Sequence, residues 1–458
     1  MLAPQQVPTL SGVRRVGMRL RFGLRAIGVT QLVALLGAAF AAVAIRLTPP
    51  RSSREARLAR RLTATLGRLR GPFAKLGQLA SLRVDLVAPE LRESLHVLRD
   101  RVAPIPASWV RDVIESELGS PLPALFAAFD PTPLGAASIA QAHAARLPDG
   151  SAVVVKVQYP WLATSSSADL ALLRHGLGLW LRGPAPGAWW TEFERGFAEE
   201  LDFRREAAVA REVAENLAQQ TRVVVPRIVS SHSTGRVLTM ERWPVLPLSD
   251  PTTLDRRGVP RSDVVETLVR AYARQIFQDG LFHADPHPGN LFVIDEPEAA
   301  VRPRVLFVDF GLSQRLPPAL ARELRLGILA LLSGDLDAFL AGMTRIGAVA
   351  PGAEAGVRHA VSTMFGRIRN EGGSALGLGA DRILSLKDEA KQLLYETPGL
   401  SLPSDLLLYA KTLSYLFDLA RELAPSVDPM QLCLPPLLRF LATREPPTAS
   451  ADGGPAGG

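Results

Sequence analysis

The hydrophobic pattern of the chain begins with one long uncharged run, Ala26–Ile45, in which twenty consecutive residues carry no charge. As a helix this run would span about 30 Å, which is enough to cross the hydrocarbon core of a bilayer. Arginines flank it on both sides, so the positive-inside rule cannot orient it. We therefore predict a membrane helix at 26–46, with a buried or interfacial helix and a secretory signal peptide as the alternatives.

Downstream of this run, the pattern changes from helical to mixed and back to helical. Residues 51–118 have apolar residues at helical spacing, and we assign 51–124 to a helical extension. Two apolar runs joined by a Pro-Asp-Gly turn predict a strand–turn–strand unit in 127–160. From 262 onward the pattern is mainly helical, with one hairpin at 291–311. The other predicted elements are one long helix at 191–218 and two strands in VVVPRIV and RVLTMERW.

Charge is concentrated at the N-terminus. Residues 1–75 carry fourteen Arg or Lys and one acid, whereas the other 383 residues carry 38 basic and 44 acidic residues. A basic head on a mildly acidic body favours an anionic partner surface, either acidic lipid or nucleic acid. Because the head holds only three aromatic residues, base stacking is unsupported and we predict no nucleic-acid partner. The composition also predicts a basic tail at 1–25 and a disordered tail at 446–458.

The counts of cysteine and lysine restrict the chemistry further. The single cysteine, Cys433, excludes a disulfide scaffold and a cysteine-based zinc site, and its apolar neighbours predict a small buried residue. Arginine fills 47 of the 52 basic positions, and the only lysines before residue 380 are Lys75 and Lys156. These two ammonium groups are therefore candidates for a specific role.

The segment HADPHPGN places His283, Asp285 and Asn290 in a Pro/Gly-rich loop, where we expect side chains to be exposed rather than buried. A short predicted hairpin follows, and its second strand leads into Asp309-Phe310-Gly311. The five-residue spacing and the Asp-Phe-Gly triplet are those of the catalytic loop and magnesium signal of protein kinases. An Asp can accept the proton of a nucleophile, while an Asn and a second Asp offer the hard oxygen ligands that Mg²⁺ prefers.

A metal site built on histidine is the alternative for this loop. His283, Asp285 and His287 alternate as in the ligand cluster of a metallohydrolase. That interpretation leaves Asn290 and the Asp-Phe-Gly triplet without a role. In the kinase interpretation the two histidines shape the loop.

Lys156 lies in the β-rich run AVVVKVQYP, as the lysine of the third kinase strand does. A lysine in an apolar strand is costly unless it is paired. The next helix offers Asp202 and Glu206, which lie four residues apart. From spacing alone, these acids could equally form surface pairs with the neighbouring arginines Arg204, Arg205 and Arg211.

Two segments depart from the pattern of protein kinases. The loop before the Lys156 strand reads LGAASIAQAH, so that Ala136, Ala137 and Ser138 stand where a glycine-rich phosphate loop is expected. Methyl groups leave the backbone less room to approach a phosphate. After Gly311 the chain turns at once into a helix, with no long activation segment and no Ala-Pro-Glu triplet. Because that segment forms the peptide platform of protein kinases, we do not expect a protein substrate.

On the basis of these motifs, the chain resembles the UbiB/AarF family of atypical protein-kinase-like proteins over about residues 70–440. The K-x-G-Q helix of the family matches GPFAKLGQLASLRVDLVAPE, and the HADPHPGN loop and Asp-Phe-Gly match without departure. The hinge matches Met240-Glu241, although the glycine usual a few residues later is absent. The family's remaining motif positions fall on Lys75, Gly77 and Gln78 of the helix, on Glu200 and Asp202 of an E-x-D motif, and on Glu206.

The resemblance implies an α+β, two-lobed protein-kinase-like fold with a helical N-terminal extension, an N-lobe at 125–245 and a helix-rich C-lobe at 246–445. It implies that ATP or ADP binds in the cleft with Mg²⁺, against the alanine-rich loop and the hinge. It further implies that Lys156 holds the α/β-phosphates and pairs with Glu206. Mg²⁺ would be bound by Asn290 and Asp309, and Asp285 would position or deprotonate the nucleophile. The residues implied to restrain the site and to exclude protein substrates are Lys75, Gln78, Glu200 and Asp202.

The resemblance also implies a biological setting. It implies work at a membrane, with the nucleotide site facing the cytoplasm, in isoprenoid-quinone (ubiquinone-type) synthesis or lipid homeostasis. The implied partners are a membrane lipid or prenylated quinone precursor and other quinone-synthesis enzymes. Two functions fit the residues: an ATP-using phosphotransferase or ATPase, favoured by the complete Lys-Glu-Asp-Asn-Asp set, and a non-catalytic nucleotide-gated lipid-binding or chaperone module, favoured by the two departures.

Overall fold

The computed structural model describes residues 69–80, 104–180, 186–370, 392–394 and 396–443. The predicted basic tail, membrane helix and C-terminal tail lie outside these residues. Within the described ranges, no helix combines the length and the apolar character needed to cross a bilayer.

An antiparallel sheet of four strands forms the smaller lobe. Each strand pairs with its neighbour in the order β1-β2-β3-β5. The predicted Pro-Asp-Gly turn joins β2 to β3, and Gly150 supplies a backbone with φ of +89° that L side chains rarely adopt. Alternate residues of β3 are buried, as period-two patterning predicts. The strands of this sheet are β1 (Ala128–Ala136), β2 (Ala140–Arg146), β3 (Ala152–Gln158) and β5 (Val237–Glu241). The strand β4 (Val223–Val224), which lies between β3 and β5 in the sequence, belongs to the sheet of the larger lobe.

Helices that pack on the sheet share one hydrophobic core with it. Val110 and Ile114, from the predicted helical extension, are buried in the same cluster as Val155 of β3 and Phe203. The end of that extension therefore packs directly on the sheet. The helices here are α1 (Pro72–Ala80), α2 (Ala107–Leu118), α3 (Leu122–Leu125), α4 (Leu162–Trp180), α5 (Pro186–Glu200) and α6 (Phe203–Asn216).

The prediction of one long helix at 191–218 was wrong, because the helix is broken at Leu201 and Asp202. Asp202 adopts an extended conformation, and its Oδ1 accepts a hydrogen bond from the Arg204 N–H at 3.0 Å. The Phe203 N–H donates instead to the Gly235 carbonyl at 3.0 Å. The N-terminal amides of α6 are thus satisfied by a capping carboxylate and by a neighbouring loop, which favours a new helix over continuation.

A second sheet and a set of helices form the larger lobe. The strands pair in the order β4-β9-β8-β6, and β7 pairs with β10. The predicted hairpin is confirmed as β8 and β9. The strands are β6 (Val245–Pro247), β7 (Leu281–Phe282), β8 (Leu291–Ile294), β9 (Val305–Phe307) and β10 (Gln314–Arg315). The helices are α7 (Pro251–Arg256), α8 (Arg261–Arg274), α9 (Pro318–Ser333), α10 (Leu336–Arg345), α11 (Glu354–Asn370), α12 (Ser404–Leu423) and α13 (Pro429–Ala442).

The core of the larger lobe joins α8, α12 and α13 to the β8–β9 hairpin. Tyr272, Phe307 and Leu416 are buried in this cluster together with Cys433. The prediction that Cys433 is a small buried residue is confirmed, since the residue is 3% exposed. Burial raises the pKa of its thiol to about 12.

Candidate functional site

The HADPHPGN loop is closed by hydrogen bonds between its own residues. Asn290 Nδ2 donates to Asp285 Oδ2 at 3.0 Å and to the Asp285 carbonyl at 3.3 Å. The Asn290 N–H donates to the His287 carbonyl at 2.8 Å, and the Gly289 N–H donates to His287 Nδ1 at 3.1 Å. The five-residue spacing therefore places the amide of Asn290 against the carboxylate of Asp285.

His283 connects this loop to the segment that carries Asp309. The prediction that the loop exposes His283 was wrong, because the residue is 0% exposed and its ring is held between two protein groups. Its Nε2 lies 3.0 Å from the Val308 carbonyl, and its Nδ1 lies 3.0 Å from the Tyr272 hydroxyl. Because a carbonyl can only accept, Nε2 carries the proton and Nδ1 accepts from Tyr272. Burial lowers the pKa of His283, which keeps the ring neutral in this arrangement.

The histidine-based metal site finds no support in this geometry. Both ring nitrogens of His283 face protein partners, and His287 Nδ1 accepts a hydrogen bond from the backbone. Among the described residues, no group of three or more His, Cys, Asp or Glu is arranged to hold a metal ion. The two histidines shape the loop.

Lys156 joins the two lobes through two carboxylates. Its Nζ lies 2.8 Å and 3.0 Å from the two carboxylate oxygens of Glu206 on α6, and 2.8 Å from Asp309 Oδ1. Asp309 follows β9 with a positive φ of 62°, which is uncommon for a residue other than glycine. The strand, the helix and the Asp-Phe-Gly segment thus converge on one ammonium group.

The neighbouring arginines, which were the alternative partners, have other contacts. Arg205 pairs with Glu199, and Arg211 donates to Ser230. Asp202, the other candidate for Lys156, caps α6. Glu206 is therefore the helix carboxylate that compensates Lys156.

The charge balance of this cluster is short of cations. Burial alone would lower the pKa of Lys156, but Asp309 and Glu206 outweigh it and raise the pKa. Burial raises the pKa of Glu206 to about 7 against the opposing effect of Lys156, and Glu200 adds to the increase. Two ammonium groups, Lys156 and Lys75, face the three carboxylates of Glu206, Asp309 and Glu200, and the one excess negative charge is one that a bound cation would neutralise.

Lys75 reaches the same cluster from the helix α1. It forms an ion pair with Glu200, and both side chains are largely buried, with 11% and 13% exposed. A Cβ placed on Gly311 would lie 3.3 Å from Asp309 Oδ1, 3.6 Å from Glu206 Oε2 and 3.8 Å from Glu200 Cγ. The carboxylate held by Lys75 is therefore close to the one held by Lys156. The side chain of Gln78 lies outside the described part of the chain.

The alanine-rich loop is tied to the segment that precedes α1. The Gly71 N–H donates to the Ser138 carbonyl at 2.9 Å, and the Tyr159 hydroxyl donates to the Ala137 carbonyl at 2.8 Å. The guanidinium of Arg70 lies over the Tyr159 ring, 4.6 Å from its centroid. Ala136, the third residue of this predicted set, ends β1.

The two predicted hinge residues are the last two residues of β5, which is an edge strand of the sheet. Met240 pairs in register with Val154 and is 9% exposed, and the Glu241 N–H donates to the Arg227 carbonyl at 2.9 Å. These two residues end the strand that lies beside the Lys156 strand, at the passage from the smaller lobe to the larger one.

Sequence reasoning missed one charged residue of the site, Lys411 on α12. Its Nζ lies 3.0 Å from Asp285 Oδ1, and its side chain is 7% exposed. The signal was present, because Lys411 is the sole charged residue in LLLYAKTLSYLF. The same reasoning that singled out Lys156 in its apolar strand applies to this lysine.

Comparison of the sequence with known proteins assigns the chain to a family. Residues 97–342, more than half of the chain, match the family model described as the ABC1 atypical kinase-like domain. The "Probable protein kinase UbiB" of Xanthomonas campestris pv. campestris (strain B100) is 34% identical over 404 residues, covering 84% of this chain and 71% of that protein. The chain belongs to the ABC1 atypical kinase-like family.

Other members and one solved structure are also similar to this ABC1-family chain. The "Probable protein kinase UbiB" of Marinobacter nauticus (strain ATCC 700491 / DSM 11845 / VT8) is 33% identical over 380 residues, covering 80% of this chain and 67% of that protein. A solved structure of the Rv3197–erythromycin complex from Mycobacterium tuberculosis aligns at 24% identity and a TM-score of 0.47, covering 80% of this chain and 96% of its own. At that score the alignment adds no argument.

The family expectation drawn from the motifs is confirmed, and so is the fold class. This ABC1-family chain is an α+β protein with the two-lobed architecture of an atypical kinase. The helix α1, with Lys75, lies before the residues matched by the family model.

Proposed function

We propose that this ABC1-family protein uses ATP with Mg²⁺ in the cleft around Lys156, as a phosphotransferase or an ATPase. The observation that carries the proposal is the joint contact of Lys156 with Glu206 and Asp309 at 2.8 Å. On the larger lobe, Asp285 and Asn290 form a second polar pair. A cation for phosphates, ligands for a metal and an acceptor for a proton are the parts that phosphoryl transfer needs.

The residues present fit a magnesium ion. The side chain of Asp309 is 40% exposed, and Asn290 commits its Nδ2 to Asp285, which leaves the amide oxygen as its acceptor. Mg²⁺ usually takes one or two protein carboxylates and completes its shell with water and substrate phosphates, so a two-residue set is sufficient. When bound, the ion would neutralise phosphate charge. Asn290 and Asp309 would hold it.

Lys156 would bind the α/β-phosphates, and Glu206 would fix the direction of its ammonium. Ala136, Ala137 and Ser138 would cover the nucleotide, and Met240 with Glu241 would contact its base. The burial of the Lys156–Glu206 pair supports this assignment, because a buried ammonium is held in one place by its carboxylate.

Asp285 would accept the proton of the attacking hydroxyl, which comes from water or from a small lipid-like alcohol. The hydroxyl oxygen would bond to the γ-phosphorus as the bond to the β–γ bridging oxygen breaks, and ADP would leave with that electron pair. Asn290 supports this role, since its amide holds Asp285 Oδ2 at 3.0 Å and so sets the direction of the carboxylate.

We also propose action at a membrane, with the nucleotide site facing the cytoplasm, on a lipid or prenylated quinone precursor. Support for the quinone or lipid role comes from the family resemblance. Support for the membrane comes from the basic head of residues 1–75 and the uncharged run Ala26–Ile45. Quinone-synthesis enzymes would be partners in that setting.

A non-catalytic, nucleotide-gated lipid-binding module is the second candidate. The observation that favours it is the contact of the Lys75 helix with the cleft, through Glu200, and the backbone bond from Gly71 to Ser138. In this case nucleotide binding would change the position of the helix without phosphoryl transfer.

ADP release from Mg-ATP separates the two candidates. We would measure it for the full chain alone, with anionic liposomes and with a prenylphenol analogue. If the protein is an enzyme, we expect turnover that falls about 100-fold or more in Asp285→Asn, as is usual on loss of a general base. Asp337→Asn, which alters an exposed ion pair with Arg358, is the matched control. Nucleotide binding without turnover under all three conditions would favour the module.

A further inference from the structure

Lys411 is held against the HADPHPGN loop by its own helix. One turn of α12 contacts the chain around this loop at three places. The Tyr409 ring packs edge-on to Phe282, with 5.9 Å between the ring centroids. The Thr412 hydroxyl, which donates within the helix to the Leu408 carbonyl at 2.8 Å, also lies 3.3 Å from the Ala284 carbonyl. Lys411 lies between these two residues and reaches Asp285. Because the Lys411 side chain is also only 7% exposed, its ammonium is confined beside the loop.

The two oxygens of Asp285 are bound by groups from different elements. Asn290 Nδ2 holds Oδ2 at 3.0 Å from within the loop, and Lys411 Nζ holds Oδ1 at 3.0 Å from α12. A single hydrogen bond would let the carboxylate rotate about its Cβ–Cγ bond, whereas two bonds to opposite oxygens fix the plane of the group. A bond to an ammonium is also stronger than one to a neutral amide.

The choice of lysine at this position is itself informative. The three lysines whose side chains the structure describes, Lys75, Lys156 and Lys411, each pair with a carboxylate of the cleft. Ion pairs on the described surface use arginine, such as Arg345 with Glu323. In a chain this rich in arginine, a compact ammonium is found where a carboxylate must be compensated in a confined space.

We propose that Lys411 is a positioning residue for the reaction, and that it acts by orienting the Asp285 carboxylate toward the nucleophile. The inference rests on the proposed phosphoryl transfer. A carboxylate that accepts a proton must lie within hydrogen-bond reach of the hydroxyl, and small displacements of such a group are costly in rate. Lys411 sets that direction jointly with Asn290.

The test is a double-mutant cycle in the full chain, with ADP release from Mg-ATP as the activity. Lys411→Met keeps the aliphatic stem and removes the charge. We expect kcat to fall about 10- to 100-fold with KM for ATP unchanged, because the loss concerns orientation and not nucleotide binding. Lys411→Arg should recover part of kcat, because it keeps the charge with a different geometry. Arg345→Met, which breaks a C-lobe ion pair away from the cleft, should leave kcat unchanged.

The decisive comparison is between Asp285→Asn and the double variant Asp285→Asn/Lys411→Met. If Lys411 acts through Asp285, both have the same kcat within about twofold, because the second change removes nothing further. The double variant buries no unpaired charge, so it remains measurable even where Lys411→Met folds poorly. A double variant more than about tenfold slower than Asp285→Asn would show an independent action of Lys411 and overturn the inference.

Two further outcomes separate this inference from the function on which it rests. If the wild-type chain releases ADP and Lys411→Met matches it in kcat, Lys411 has only a structural role and the inference fails while the function stands. If the wild-type chain shows neither turnover nor a Mg-dependent thermal shift with ATP, the proposed function fails and the inference fails with it.

Discussion

Lys75, on the helix before the family-matched residues, forms a largely buried ion pair with Glu200 at the end of α5. Glu200 lies beside Gly311 of the Asp-Phe-Gly triplet, so the pair connects the helix to the centre of the cleft. An ammonium that contacts a cleft carboxylate, but not the Asp285–Asn290 pair, is placed to restrain the site.

Replacing Lys75 with Ala should therefore change phosphoryl transfer while nucleotide binding is kept. Loss of the ammonium leaves a largely buried carboxylate without its partner, which should cost about 1–3 kcal/mol of stability and loosen α1. We expect the thermal shift with Mg-ADP to be retained, and ADP release or autophosphorylation to rise several-fold.

The matched control for this variant is Arg205→Ala, which removes the more exposed pair with Glu199 at the same helix junction. It should change stability by less than about 1 kcal/mol and leave turnover unchanged. Loss of nucleotide binding in Lys75→Ala, with no change in any phosphoryl transfer, would contradict a restraining role.

The contacts of Lys156 show what the sequence could predict about the site. A lysine in an apolar strand demands a carboxylate, and the chain offers two candidates four residues apart, Asp202 and Glu206. On one continuous helix both carboxylates would lie on the same face, so their spacing could not show which of the two contacts Lys156. The choice follows from the break in that helix, because Asp202 caps α6 and its carboxylate is used by the backbone.

The sequence singles out Lys411 by its apolar neighbours, but it could not predict which carboxylate this lysine contacts. It lies 126 residues from Asp285, and nothing in the pattern of α12 gives its register against a loop so far away in the chain. Motif spacing determines contacts within the loop, such as Asp285 with Asn290. Contacts between distant elements depend on how Tyr409 and Thr412 seat the helix.

Asp309→Asn should remove most of the magnesium dependence of nucleotide binding. At ligand about 100-fold above its dissociation constant, binding stabilises the folded state by roughly 2.7 kcal/mol, which corresponds to a melting shift of a few degrees. Asn keeps the shape of the side chain but removes the charge that would face the ion. Thermal melting with Mg-ADP, with and without EDTA, measures this.

The wild-type shift should disappear with EDTA, and Asp337→Asn, an exposed acid outside the cleft, should behave as wild type. A shift in Asp309→Asn that equals the wild-type shift would show that this carboxylate does not hold the metal.

Membrane association should depend on the N-terminal head. A chain that begins near residue 50 lacks the run Ala26–Ile45 and part of the basic residues, so both the apolar and the electrostatic attraction are reduced. We expect the full chain to sediment with anionic liposomes and the shortened chain to remain in the supernatant. Sedimentation of the shortened chain at high salt would exclude the head as the anchor.

Cys433 should be unreactive in the folded protein. Burial raises the pKa of its thiol to about 12, so at pH 8 the thiol is almost entirely protonated and very little of the reactive thiolate is present. We expect no labelling by Ellman's reagent under native conditions and one thiol per chain in guanidinium. Cys433→Ser gives the background, and native labelling at the rate of a free thiol would refute the buried position.

Lys156→Met should destabilise the protein strongly, because it leaves Glu206 buried without a cation. Glu206 is 4% exposed, and breaking a buried pair by removing one partner costs about 3–5 kcal/mol. Adding Glu206→Gln removes the uncompensated charge, so the double variant should recover part of that loss.

Urea unfolding monitored by fluorescence, with variants compared at a common m value, measures both changes. Arg315→Met, which breaks an exposed pair with Glu212, should cost less than about 1 kcal/mol. Equal midpoints for Lys156→Met and the double variant would mean that Glu206 does not remain as an uncompensated charge in Lys156→Met, and the predicted cost of breaking the pair would then be wrong.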